Sequence, residues 1–241
     1  MNTLHNFIFN VYPYICLAVF FMGSLARFDR DQYTWKSDSS QLLRKAQLRW
    51  GSNLFHGGIL FLFFGHLFGQ LTPHGLYEIF VTASQKQLIA VVAGGVAGGL
   101  CFIGLTMLLH RRLFDPRIRL TSHRTDIAIL VILWVQLVIG LSTLPASLHH
   151  VSDPQTMLRL AEYLQGIVLM QPNAALVAGI EWHFQAHMLL GMTIFLLFPF
   201  SRLVHVWSGL ASVAYLFRPY QVVRARRLNV PAGQNQPRRA G

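Results

Sequence analysis

Residues 52–73 read SNLFHGGILFLFFGHLFGQLTP, an apolar run of bilayer length that carries two histidines, His56 and His66, with no acid beside either. An ionisable side chain inside hydrocarbon is costly and usually marks function, so each histidine asks for a partner. A haem iron is the obvious one. Histidine is a common axial ligand of haem, and Gly57, Gly58, Gly65 and Gly69 remove side chains that would block a flat macrocycle. The rest of the chain is then a search for two more ligands.

The 241 residues are 53% hydrophobic and only 12% charged, with a mean hydropathy of +0.43. That balance excludes an ordinary soluble domain and points to an integral membrane protein. The net charge of +11 does not indicate nucleic acid. The basic residues sit in short loops and a tail between apolar runs, as in proteins that set their membrane orientation by charge, and no DNA-reading motif accompanies them. Cys16 and Cys101 each lie inside an apolar run and read as small core residues. No C-x-x-C-H occurs, so a haem here would be b-type.

Working outward from the histidine run, the pattern predicts an all-α bundle of five transmembrane helices. The first covers about Leu4–Ala26, bent but not ended by Pro13. The second is the histidine run. The third extends from near Lys86 to His110, and its glycines at 94, 95, 98 and 99 have the small-residue spacing of close helix packing. The fourth is Ile127–Leu144, stopped by Pro145. The fifth is Trp182–Trp207, holding His187 and His205. Between the last two, Met157, Leu160, Ala161, Leu164 and Val168 recur at helical spacing in a segment too polar to span, which reads as a helix lying in the interface plane.

All but Lys86 and Arg159 of the 20 Lys and Arg fall on one side of this arrangement. The richer side marks the cytoplasm, giving an N-terminus outside and a C-terminus inside. Residues 1–227 form the membrane domain, and 228–241, rich in Pro, Gly and Gln, read as a disordered tail.

Antiparallel spans two and five pair His66 with His187 on the outer side and His56 with His205 on the inner. The heights do not match. Ten residues on span two rise about 15 Å and eighteen on span five about 27 Å, a difference that tilt and a kink at Pro199 must share. His183 is a rival to His187, while His5, His74, His110, His123, His149 and His150 fall at span ends or in loops and read as solvated. Arg112, with Arg111, lies at the cytoplasmic end of span three, and Arg202 sits one turn before His205. Most such arginines are orientation anchors; Arg202 is the one placed to reach haem propionates.

FNVYPYI, DQYTW, SNLFHGGIL, GHLFGQLTPH, RRLFDPRIR and GMTIFLLFPFSRLVHVW together resemble the gamma subunit, a dihaem cytochrome b, of membrane-bound respiratory nitrate reductase. The likeness runs to about Arg226. It implies five helices in the bacterial inner membrane and two haem b groups on His56, His66, His187 and His205. It also implies a quinol site at Gly65, His66 and Lys86, taking menaquinol or ubiquinol on the periplasmic side; haem-binding roles for Arg112 and Arg202 are expected from their position at the cytoplasmic span ends. Electrons would pass to an iron–sulfur beta subunit and then to a molybdenum-containing alpha subunit that reduces nitrate, so this chain would be the quinol-oxidising part of an enzyme and would contribute to a proton-motive force. Gln185 departs from the basic residue expected two positions before His187. Haem ligation alone leaves open a dihaem cytochrome b of another quinol-linked oxidoreductase, and a rival of another class is a transporter or plain membrane anchor.

Overall fold

Backbone polar groups in hydrocarbon must be satisfied within their own segment, so apolar runs of this length fold as helices. In the computed structural model, five helices are long and apolar enough to cross a membrane: Thr3–Arg30, Gln47–Leu71, Ala83–Phe114, Arg124–His149 and Trp182–Phe200. The structure describes residues 2–31 and 45–207, and among these every regular element is helical. The tail at 228–241 lies outside the described residues, as does most of the loop after the first span.

The first span is α1 (Thr3–Asn6), a π-helical turn (Phe7–Val11) and α2 (Tyr12–Asp31) in one continuous rod. Pro13 has no N–H to give the carbonyl four residues back, that of Phe9. That carbonyl is served from elsewhere, by the Tyr163 hydroxyl at 2.7 Å. Proline therefore loosens the first turn without ending the helix, as expected.

The second span is α3 (Lys45–Leu71) and, after the short α4 (His74–Tyr77), the third is α5 (Ala83–Phe114). A capping box opens α5, with Gln85 N–H donating to Thr82 Oγ1 at 3.3 Å and Thr82 N–H to Gln85 Oε1 at 2.9 Å. These two antiparallel helices form the most extensive contact in the bundle. Glycine makes it possible. A Cβ on Gly58 would lie 2.7 Å from the Cys101 Cβ and 2.8 Å from the Ala97 carbonyl oxygen, and one on Gly104 would run into the α3 backbone. Gly58 thus serves helix packing and does not open space for a macrocycle, which corrects the sequence expectation. Gly98 packs against Leu141 of the next span. Cys16 and Cys101 are free and buried.

After α6 (Pro116–Thr121), capped by the Asp115 carboxylate, comes α7 (Arg124–His149). Pro145 does not stop it, contrary to expectation. Near a helix end one missing hydrogen bond is tolerable, and the preceding turn is reinforced by Ser142 donating to the Ile139 carbonyl at 2.6 Å and Thr143 to that of Gly140 at 2.7 Å. The amphipathic α8 (Gln155–Val168) follows. It buries Leu160, Ala161, Tyr163 and Ile167, whereas Val168 is exposed, so its apolar face is rotated from the expected one toward Tyr163.

The fifth span is α9 (Trp182–Leu197) and then a break. The chain passes through a 3-10 turn at Phe198–Phe200, an extended Ser201, and a second 3-10 turn, Arg202–Val204. The span therefore breaks at the proline where a kink was expected, its α-helix ending at Leu197. Pro199 cannot continue the ladder, and the carbonyls released are taken up from the first span: Arg27 donates to the Pro199 oxygen at 2.7 Å and the Ser201 oxygen at 2.9 Å. Gly23 admits the proline ring, since a Cβ there would lie 2.8 Å from Pro199 Cγ.

Candidate functional site

Spans two and five carry the four histidines, and the structure brings them together in two pairs. His66 faces His187 with ring centres 6.1 Å apart, and His56 faces His205 with ring centres 6.2 Å apart. His205 reaches its partner from beyond the break after Leu197, at the end of the 3-10 turn Arg202–Val204.

Each ring is oriented by a backbone oxygen. His66 Nδ1 lies 2.7 Å from the Leu62 carbonyl oxygen, His56 Nδ1 2.8 Å from that of Ser52, His205 Nδ1 2.6 Å from that of Arg202, and His187 Nδ1 3.2 Å from that of Gln136. A carbonyl only accepts, so in every case Nδ1 carries the hydrogen and Nε2 keeps its lone pair for a metal. Imidazoles bound on opposite sides of one metal by bonds of about 2 Å stand about 6 Å apart between ring centres. Both pairs fit that arrangement. Two facing histidines would suit a metal whose other positions a macrocycle supplies. Beside Gly65 and Gly69 on α3 a Cβ would meet nothing within 4 Å among the described residues.

The fourth span, which holds no histidine, positions one. Gln136 accepts through its backbone from the His187 ring, and its side-chain amide returns a hydrogen bond to the His187 carbonyl at 3.0 Å. Gly140 makes room for that ring: a Cβ there would lie 2.7 Å from His187 Cε1. Neither residue had a signal in the sequence beyond being small or polar on an apolar helix. His183, the rival ligand, has ring contacts with Trp182 and Phe184, and its Nε2 is buried with no hydrogen-bond partner among the described residues. His5 is not simply solvated, since its Nε2 lies 3.0 Å from the Ala174 carbonyl oxygen. Gln185, where a basic residue was expected, donates to the Ile180 carbonyl at 2.7 Å and so holds the turn that leads into α9.

At the His56–His205 end, Arg112 and Arg202 converge on one carboxylate. Asp126 Oδ2 lies 3.4 Å from Arg112 Nη1 and 3.7 Å from Arg202 Nη1, and Arg112 also donates to Ser122 at 2.9 Å. Two guanidinium groups sharing one carboxylate leave a net positive charge beside His205, the arrangement an anionic group would meet. Asp126, in the first turn of α7, was not singled out by sequence reading.

Lys86 lies in the first turns of α5 and His66 in the last turns of α3, so the antiparallel pair sets them at the same end. The Lys86 Nζ sits 3.6 Å from the centre of the Tyr77 ring. This cation–π contact holds the ammonium without neutralising it, and no carboxylate pairs with it among the described residues. Tyr77 is buried, and burial first, then the nearby Glu78 carboxylate, holds its phenol above the ordinary range.

Residues 5–226 match the family described as nitrate reductase gamma subunit. Among similar proteins are the respiratory nitrate reductase 1 gamma chain of Escherichia coli (strain K12), 48% identical over 94% of this chain and 100% of the relative, and the respiratory nitrate reductase 2 gamma chain of the same organism, 50% identical with the same coverage. The nitrate reductase gamma chain of Bacillus subtilis (strain 168) is 37% identical over 91% of this chain and 97% of its own length.

Proposed function

This chain belongs to the nitrate reductase gamma subunit family, and on that premise we propose that it is the membrane subunit through which electrons from a quinol enter a respiratory nitrate reductase. The observation that carries this reading is one arrangement made twice: facing histidines with ring centres 6.1 and 6.2 Å apart, each with Nδ1 donating to a backbone carbonyl. Two b-type haems held by His66 with His187 and by His56 with His205 would supply one-electron centres at the two ends of the bundle.

Gly65, His66 and Lys86 form the quinol site. Lys86 donates to a quinol oxygen, with the Tyr77 ring fixing its ammonium, and Gly65 leaves room for the quinol ring. Arg112 and Arg202, tied together by Asp126, receive the propionates of the haem on His56 and His205.

The excess of Lys and Arg puts the Arg112 end in the cytoplasm and the N-terminus outside, in a bacterial inner membrane. There the iron–sulfur beta subunit docks and passes electrons to the molybdenum-containing alpha subunit. Quinol, whether menaquinol or ubiquinol, releases its protons on the outer side. Negative charge moving inward works against the membrane potential at about 2.3 kcal/mol per charge per 100 mV, so turnover helps to build that potential.

Adding quinol to the purified chain in lipid tests this reading. Two b-type haems per chain that are reduced on addition of quinol are expected; a chain without haem, or one whose haems stay oxidised, would overturn it.

A further inference from the structure

An open apolar groove of about 620 Å³ runs between α3 and α5, bounded by Gly57 and Phe61 on one side and by Ile89, Ala93, Val96 and Leu100 on the other. It faces away from the histidines. Phe61 is five positions from both His56 and His66, which at about 100° per residue turns it about 140° from each.

The groove nevertheless leads to the quinol site. On α5, Ala93 and Leu100 follow Lys86 by 7 and 14 positions and so return to its side of the helix. On α3, Gly65 follows Phe61 by four positions and continues the same stripe. From Lys86 to Leu100 the helix advances about 21 Å, most of the ~30 Å hydrocarbon core. No lining residue carries a polar side chain, so this space suits a chain and not a head group. Beside Gly57, at the Leu100 end of the groove, nothing among the described residues lies within 4 Å of where a Cβ would stand, which widens the groove there.

We propose that this groove is the binding track for the polyprenyl tail of the quinol whose ring is held at Gly65 and Lys86. The proposal rests on the quinol site inferred above. The ring at the outer end and the tail along α3 and α5 together form one amphiphile-shaped site, in which the small residues Gly57 and Ala93 accept the methyl branches of the prenyl chain.

The test uses the assembled enzyme in membranes and two probes with the same ring, menadiol, which has no tail, and its tetraprenyl counterpart. Val96→Trp fills the groove, and Ile89→Trp repeats the test nearer Lys86. Val96 and Ile89 are 63% and 58% exposed, so neither change disturbs packing within the chain, and unaltered haem spectra check this. The KM for the prenylated quinol is expected to rise about tenfold in each variant, with menadiol oxidation unchanged. Equal effects on both quinols, or none on either, would overturn the proposal. Loss of a copurifying phospholipid without change in either KM would also overturn it, by making the groove an acyl-chain site. Lys86→Ala separates the two readings: if it slows both quinols while the groove variants slow neither, only the tail track fails, and if it slows neither, the quinol site itself is misplaced.

Discussion

The hydroxyl of Tyr163 donates at 2.7 Å to the carbonyl of Phe9, the oxygen that Pro13 leaves without its helical donor. Tyr163 is fully buried, and burial first, then Tyr14, holds its phenol above the ordinary range, so it stays protonated and able to donate. In α8 it closes the start of the first span, while Gln165 of the same helix ties the end of α3 by donating to the Gln70 carbonyl at 2.9 Å. Tyr163→Phe should leave that carbonyl buried and unserved and cost about 1–3 kcal/mol. A lower Tm with haem absorbance intact before melting is expected; an unchanged Tm would show that the carbonyl finds water or another donor.

Gly140→Ala places a methyl against the His187 ring, in a spot where the contact distance of 2.7 Å leaves no room. The expected outcome is loss of the haem on His66 and His187, with the other retained. Haem content of the purified variant checks it, one haem per chain being the prediction.

Asp126→Asn keeps a hydrogen-bond acceptor for Arg112 and Arg202 but removes the charge that offsets them. With two uncompensated guanidinium groups beside His205, the reduced, more negative form of its haem should be favoured. A redox titration should show the midpoint potential of that haem raised and the other little changed. A downward shift, or an equal shift in both, would contradict the placement of the cluster.

Lys86→Ala should keep both haems and the assembled complex yet slow haem reduction by quinol. Stopped-flow absorbance over a range of quinol concentrations measures it. Normal rates throughout would make the lysine an interfacial anchor.

The spans were legible because hydrocarbon permits an apolar run of this length little but a helix, and the pairs because two histidines on each of two antiparallel helices admit one sensible matching. What the sequence concealed depends on contacts between spans. The break after Leu197 is held by Arg27, 172 residues away from Pro199. Gly58 and Gly57 look alike in sequence, yet one packs into α5 and the other faces open space. Asp126 and Gln136 read as isolated polar residues on an apolar helix until Arg112, Arg202 and His187 are brought to them.

The central claim is that His66 with His187 and His56 with His205 are two separate axial pairs. Haem content and spectra of the four single His→Ala variants test it most directly. The His66 and His187 variants are expected to lose one haem and the His56 and His205 variants the other, each keeping its remaining haem spectrally normal. If the His66 and His205 variants lost the same haem while the other survived, the pairing would be contradicted.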